Sequence, residues 1–249
     1  MRNPIKQLSH ALLPLGVMAT MMACTDDDMP RHGFTRAEIQ ATATSNAGST
    51  PITIGDFTVE HFSVGAQNVE MMFLHHDAVD AGVTLENGTL KPNSDSPLAR
   101  SSAAAKQLIL TNAGELQNTP VAKGETPSGI YNELTFKLTK IANDTNGPTG
   151  KSLVLTGTVD EKPVLIWLES EDIVSVPAKS SEGYEISGEA LFILEFNLDK
   201  MLASVNFDNA TDFNNNGIIE IGPNNVDANG SIFNVIRNNI AASMQFQKQ

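Results

Sequence analysis

An alternating pattern lies near the middle of this sequence, in Ile130-Tyr131-Asn132-Glu133-Leu134-Thr135-Phe136-Lys137-Leu138. Side chains two residues apart lie on the same face of a β-strand, so Leu134, Phe136 and Leu138 share one apolar face. The preceding Pro127-Ser128-Gly129 favours a turn. The pattern therefore predicts a strand with one buried face.

Similar patterns flank this strand on both sides. Further strands are predicted over residues 57–64, 69–74, 153–159, 164–168 and 190–198, and a tight hairpin is predicted within 83–90. Asn87-Gly88 is a pair that favours a tight hairpin, because both positions accept positive φ. Residues 160–163 form a predicted turn before an apolar run around Trp167, the only tryptophan. This run indicates a strand deep in the core.

Helical patterns are fewer. A turn is predicted near 199–202, and a helix is predicted after Ser231. The apolar stripe of that helix comprises Ile232, Val235, Ile236 and Ile240. Strands joined by short turns, with few helices between them, predict an all-β fold of antiparallel sheets packed as a sandwich, with a short C-terminal helix.

Residues from about 125 to 240 resemble β-sandwich domains of unknown function in bacterial surface lipoproteins. The resemblance rests on the strand at 130–138, the hairpin at 153–168 and the turn at Asp199. It implies a sandwich similar to transthyretin or immunoglobulin domains, and it implies no activity.

The chain divides into three predicted parts: a signal peptide at 1–23, an acidic, flexible tether at 24–50 and the β-sandwich at 51–249. The tether is small and polar without a clear apolar period. The sandwich region is long enough for one larger domain or two small ones. With 41% hydrophobic and 18% charged residues, the chain can bury a core.

The first residues have the order of a secretory signal peptide. Arg2 and Lys6 precede an apolar run that ends at Ala23, and this run is shorter than the ~20 residues that span a bilayer. Cys24 is the only cysteine, so no disulfide within the chain explains it. Met21-Met22-Ala23-Cys24 resembles a bacterial lipobox, although Met21 replaces the usual Leu. The resemblance implies that Cys24 carries acyl chains and anchors the protein to a membrane; cleavage to a soluble periplasmic protein is the alternative.

The residues after Cys24 bear on which membrane is used. An Asp directly after the cysteine would resemble the inner-membrane retention signal. Thr25 occupies that position instead, and the absence of the Asp favours the outer membrane. Asp26-Asp27-Asp28 resembles the surface-export signal of some Gram-negative lipoproteins. A solvated tether kept flexible by like-charge repulsion is the other interpretation.

Charge limits the class of partner. The formal net charge is −13, and loss of Arg2 and Lys6 with the signal peptide makes it more negative. Such a chain repels phosphate backbones, so we expect no nucleic-acid partner. An envelope protein or a small ligand fits better.

The most specific chemical pattern in the sequence is that of a calcium-binding loop. It lies in Asp212-Phe213-Asn214-Asn215-Asn216-Gly217-Ile218-Ile219-Glu220. Oxygen-bearing side chains stand at positions one, three and five, with Gly at six and an apolar residue at eight, as a loop around a hard cation requires. It resembles the EF-hand and dockerin loop through position nine. The candidate ligands are Asp212, Asn214, Asn216, Ile218 through its backbone, and Glu220.

Position twelve departs from that pattern, because Pro223 replaces the acidic residue that should close the shell. Asp227, which begins Asp227-Ala228-Asn229-Gly230-Ser231, is a candidate for the missing carboxylate. Asn, Asp and Gly also form ordinary turns without a metal. The sequence therefore leaves two interpretations of 212–231 open, a calcium site and a plain loop.

Histidines offer a weaker metal pattern. His75-His76-Asp77 places two imidazoles and a carboxylate together, and His61 could join them if the strands pair. Neighbouring residues on a strand point to opposite faces, so exposed polar side chains at a strand end are the simpler interpretation.

Catalytic motifs are lacking: the sequence has no Gly-x-Ser-x-Gly, no His-Glu-x-x-His and no phosphate-binding glycine loop. Glu169, Glu171 and Asp172 follow a strand, where acidic residues commonly form a solvated rim. We therefore expect a non-enzymatic envelope protein that binds a ligand or partner. The alternatives are a structural or assembly lipoprotein acting through protein contacts, and a metal-handling protein.

Overall fold

The fold is taken from a computed structural model that describes residues 34–48, 50–74, 81–86, 89–92, 105–142 and 147–249. Strands predominate among the described residues, which confirms the all-β prediction. The strands are β1 (Phe34–Thr44), β2 (Thr53–Ile54), β3 (Phe57–Leu74), β4 (Ala81–Glu86), β5 (Thr89–Pro92), β6 (Lys106–Asn112), β7 (Glu115–Leu116), β8 (Asn118–Pro127), β9 (Gly129–Leu138), β10 (Leu153–Val159), β11 (Lys162–Leu168), β12 (Ile173–Pro177), β13 (Tyr184–Ile186), β14 (Ala190–Asn197), β15 (Ile219–Ile221) and β16 (Met244–Lys248). The helices are α1 (Leu198–Met201), a 3₁₀ turn at Phe207–Asn209 and α2 (Gly230–Ser243).

The long strand β3 organises one layer of the sandwich. Its first half pairs with β10 and β6, and its second half pairs with β9 and β4. Strands β8, β1, β14 and β16 form the facing layer. Phe62 of β3 and Phe136 of β9 meet Phe196 of β14 edge to face, with ring centroids 5.8 and 6.5 Å apart. The shared core between these aromatic rings confirms the sandwich-like fold.

Strand direction differs in part from the antiparallel prediction. The pairs β1–β14, β11–β15 and β5–β8 are parallel. Each parallel pair joins strands that are far apart in the sequence, because a tight turn can connect only antiparallel neighbours. Local alternation shows that a strand forms but does not specify the direction of a distant partner.

The predicted tether is wrong for residues 34–44, which form β1. This strand lies between β8 and β14, and it buries Ala37, Ile39, Ala41 and Ala43 on one face. Alanine is a weak strand former, so three alanines in four core positions conceal the alternation. The signal peptide, Cys24 and the rest of the tether up to residue 33 lie outside the described residues.

The hairpin of β10 and β11 matches its prediction and has a tighter turn. Lys162 and Pro163 belong to β11, so the loop consists of Asp160 and Glu161 alone. Both have positive φ, 48° and 65°, as the twist of a two-residue hairpin requires. Trp167 on β11 is only 2% exposed, in agreement with the deep strand expected from the sequence.

Helix α2 confirms the predicted C-terminal helix. It buries Ile232, Phe233, Ile236 and Ile240 against the core. The side chain of Asn239 donates to the carbonyl oxygens of Met201 and Ala203 at 3.2 and 2.8 Å. These bonds supply donors to carbonyl groups at and just after the C-terminal end of α1. Among the described residues, none of the helices has the length and apolar character needed to cross a bilayer.

Candidate functional site

The segment from Asp212 to Ser231, called here the 212–231 segment, runs through the short edge strand β15 to the start of α2. Strand β15 pairs in parallel with Val164–Ile166 of β11. Residues 212–218 precede the strand and are exposed or half-buried. The structure therefore places the predicted loop at a sheet edge, anchored on one side by the core.

Asp227 is the buried centre of the segment, with no exposed surface. One carboxylate oxygen accepts the backbone N–H of Asn214 at 3.1 Å, and the other accepts the N–H of Glu220 at 2.8 Å. Hydrogen bonds to a carboxylate are stronger than neutral ones. Asp227 thus binds the beginning of the segment to β15.

Asn229 makes a second set of ties and is 3% exposed. Its Nδ2 donates to the carbonyl oxygens of Thr211 and Glu220 at 2.8 and 3.0 Å, while its Oδ1 accepts the N–H of Thr211 at 2.9 Å. Together with Asp227, it satisfies both backbone polar groups of Glu220, the middle residue of β15. Side chains thereby cover a strand edge that could otherwise pair with another chain.

Thr211 and Asn229 were not predicted as site residues. The Thr211 hydroxyl donates to the carbonyl oxygen of Asp227 at 2.7 Å, so it locks the same junction. The only sequence signal was the alternating Asp227-Ala228-Asn229 pattern, which ordinary turns share.

Asp212 shapes the exposed turn. Its Oδ1 accepts the N–H of Asn216 at 3.1 Å, and its Oδ2 accepts the N–H of Gly217 at 2.9 Å. Gly217 has a φ of 87°, which a residue without a Cβ adopts at low cost. The predicted sharp turn at position six is therefore present.

The side chains of Asn214 and Asn216 converge on one carboxylate oxygen of Glu220. The Nδ2 atoms of both asparagines donate to Glu220 Oε2, at 2.9 and 3.0 Å. Asn214 Oδ1 accepts the N–H of Asn216, and Asn216 Oδ1 accepts the N–H of Ile218, both at 2.9 Å. Each predicted ligand thus has a direct hydrogen bond to another predicted ligand or to the turn that carries it.

The donor set fits a hard cation, because it consists of oxygens. A carboxamide oxygen has two lone pairs, so Asn214 and Asn216 can keep their backbone bonds and still ligate an ion. Within the described ranges, no group of three or more His, Cys, Asp or Glu side chains lies close enough to hold a metal. A cation here would therefore depend on Asp212, Glu220, the carboxamides and the Ile218 carbonyl.

The surface of the segment is both acidic and apolar. From Met201 to Ile236 the sequence contains four carboxylates and no Lys, Arg or His. Phe213 is 73% exposed, and Ile218 and Val226 are about two-fifths exposed. Phe213 is therefore the most exposed large apolar side chain of the segment and the one most accessible to a partner.

Trp167, the only tryptophan, packs against the residue that follows β15. Gly222, just after β15, lies so close to Trp167 that a Cβ there would come within 2.2 Å of the indole ring. On the same ring, Lys151 Nζ lies 5.0 Å from the centroid, within cation–π range. Lys151 also hydrogen-bonds Glu169 and lowers the pKa of that carboxyl. A rearrangement of the 212–231 segment is thus expected to alter Trp167 fluorescence.

The predicted histidine group is only partly described. His61 is 3% exposed and lies opposite Thr156 in the β3–β10 pair. His75 and His76 lie outside the described residues, so the metal-handling hypothesis stays a prediction.

Comparison with known proteins gives no relative: the chain matches no family model, no curated protein and no solved structure. The class is therefore defined by the fold and the site alone. It is a sandwich-like all-β protein whose edge strand β15 carries an oxygen-rich loop.

Proposed function

We propose that this chain is a non-enzymatic, lipid-anchored protein of the bacterial cell envelope whose 212–231 segment binds calcium and contacts a ligand or partner. The observation that carries the calcium assignment is proximity: the carboxamides of Asn214 and Asn216 both lie within hydrogen-bond distance of the Glu220 carboxylate, and Asp212 closes the turn beside them. These are the residues that the position pattern predicts as ligands.

Calcium would replace existing hydrogen bonds of the segment. Glu220 Oε2 would exchange two N–H donors for the ion, and the backbone bonds to Asp227 could remain. Because the set contains few carboxylates, we expect a dissociation constant on the order of 10⁻⁴–10⁻³ M, the range of extracellular modules.

Partner binding is supported by the exposed apolar side chains of the same segment. Phe213 and Val226 flank Asn214 and Asp227, which are hydrogen-bonded to each other. A cation that stiffens this junction would hold both side chains in place, which reduces the entropy lost on binding.

Thermal melting of the protein tests the calcium assignment. At a calcium concentration about ten times the dissociation constant, an ion that binds only the folded state stabilises it by about 1.4 kcal/mol. We expect the melting temperature to rise by roughly 3–6 °C. Asp212→Ala should abolish the rise, and Asp208→Ala, which changes an exposed carboxylate of the same acidic region, should retain it. An equal rise in the Asp212→Ala variant would reject the site.

The anchor is supported by the lipobox resemblance and by the single cysteine. Mass spectrometry of the protein from its native membranes should find a chain that begins at Cys24 and carries acyl groups. Cys24→Ser should release the protein from membranes. An unmodified Cys24 in the mature protein would overturn the anchor and leave the calcium assignment untouched.

A further inference from the structure

We propose that Asn216 is a self-modifying site, where reaction with the Gly217 backbone converts the carboxamide to a carboxylate. The nitrogen of Gly217 attacks Cγ of Asn216, and the side-chain nitrogen leaves as ammonia with the proton from the Gly217 N–H. Water then opens the five-membered imide at either carbonyl, which gives aspartate or β-linked isoaspartate. Water is the only co-reactant.

The structure places a proton acceptor at the reacting nitrogen. Asp212 Oδ2 accepts the Gly217 N–H at 2.9 Å, which is the reach required of a general base. The bond from Ile218 N–H to Asn216 Oδ1 curls the carboxamide back toward the Gly217 backbone. Asn216 is exposed, and nothing lies within 4 Å of the place where a Gly217 Cβ would stand. The side chain and water therefore have access.

A second Asn-Gly pair among the described residues, Asn229-Gly230, is protected from this reaction. Asn229 is 3% exposed, and both ends of its carboxamide are bonded to Thr211, with a further bond to Glu220. Its neighbour Gly230 begins α2, where the Asn229 carbonyl accepts the N–H of Phe233 at 3.0 Å. Folding thus separates two identical dipeptides into a reactive one and a protected one.

Modification would change what holds the loop. Asn216 Nδ2 now donates to Glu220 Oε2 at 3.0 Å. After deamidation two carboxylates face each other there, so a hydrogen bond becomes a repulsion. If the proposed calcium function holds, the added charge also tightens calcium binding, because the number of charged ligands sets affinity. Deamidation would turn a loop that is stable without an ion into one that requires it.

Peptide mass spectrometry of the folded, full-length protein tests the reaction after prolonged incubation in mildly alkaline, calcium-free buffer. We expect aspartate and isoaspartate to accumulate at Asn216 and not at Asn229. Asp212→Asn should slow the reaction at Asn216 several-fold, whereas Asp208→Asn should leave its rate unchanged. Equal rates at Asn216 and Asn229, or a rate insensitive to Asp212→Asn, would overturn the proposal.

The variant Asn216→Asp mimics the aspartate product and tests separately how deamidation changes the stability of the loop. In chelator, the melting temperature of Asn216→Asp should fall below that of the unmodified protein. Added calcium should raise the melting temperature of the variant by more than it raises that of the unmodified protein. A melting temperature in chelator equal to that of the parent would overturn the switch. If calcium shifts neither protein, the calcium function fails, while the mass spectra still decide whether Asn216 reacts.

Discussion

At the scale of single residues, Asp227 connects the loop to β15. It is fully buried, and its carboxylate accepts the backbone N–H of Asn214 in the loop. Both of its oxygens bind backbone N–H groups, a role that depends on chain segments meeting in three dimensions. Residue spacing predicts oxygen atoms near one another but cannot assign their partners.

Replacing Asp227 with Ala should therefore destabilise the protein whether or not calcium is present. The N–H groups of Asn214 and Glu220 would lose a charged acceptor, which we expect to cost roughly 2–4 kcal/mol of unfolding free energy. Urea denaturation in chelator measures this loss. The exposed-site variant Asp208→Ala should change stability by less than about 0.5 kcal/mol, and equal losses would refute the account of Asp227.

Gly222 should tolerate no side chain. In Gly222→Ala the new Cβ would overlap the Trp167 ring, and we expect overpacking to cost about 1–3 kcal/mol and to change tryptophan fluorescence. Gly188→Ala is the matched control, because nothing lies within 4 Å of its added Cβ. A normal melting temperature and spectrum for Gly222→Ala would contradict the described contact.

Tyr131 should make stability depend on alkaline pH. Burial raises the pKa of this phenol from 10.0 to about 12, although its hydrogen bond with Thr126 acts in the opposite direction. The folded state then keeps a proton that the unfolded state loses, so unfolding free energy should fall by roughly 2 kcal/mol as pH rises across this window. Denaturant titrations at several pH values should show a shallower fall in Tyr131→Phe, and the same slope would contradict the burial effect.

At the scale of elements, local alternation predicted the strands that carry bulky apolar residues. The strand at 130–138 and the hairpin around Trp167 were found because large side chains alternate or cluster there. β1 was missed because Ala37, Ala41 and Ala43 carry little hydrophobic signal of their own. They are buried because β8 and β14 lie on either side, and pairing between distant segments is not encoded in a local window.

Ile39→Ala tests whether β1 belongs to the core. Ile39 is fully buried, so the substitution should lower unfolding free energy by about 2–5 kcal/mol. Arg36→Ala on the same strand removes only an exposed ion pair with Glu189, 3.7 Å long, and should cost at most about 1 kcal/mol. Chemical denaturation of the two variants distinguishes a core strand from a tether, in which neither change would matter.

At the scale of the whole molecule, contacts between distant segments join β1, α1 and the region before the 212–231 segment to the core. The described fold begins at Phe34 with β1. This strand lies parallel to β14, and β14 leads directly into α1. The N–H of Asn46, after β1, donates to Asp199 of α1 at 2.7 Å. Phe207, just before the 212–231 segment, stacks on Phe57 with ring centroids 5.1 Å apart. An eleven-residue strand spans roughly 36 Å, so Phe34 and Thr44, the two ends of β1, are well separated.

Calorimetric titration of calcium into the protein decides whether the 212–231 segment is a calcium site. We expect saturable binding of a single ion, with a dissociation constant on the order of 10⁻⁴–10⁻³ M. Binding should disappear in Asp212→Ala and in Glu220→Ala and persist in Asp208→Ala. Absence of saturable binding, or binding that survives both ligand substitutions, would contradict the claim and leave 212–231 as a loop held by Asp227 and Asn229 alone.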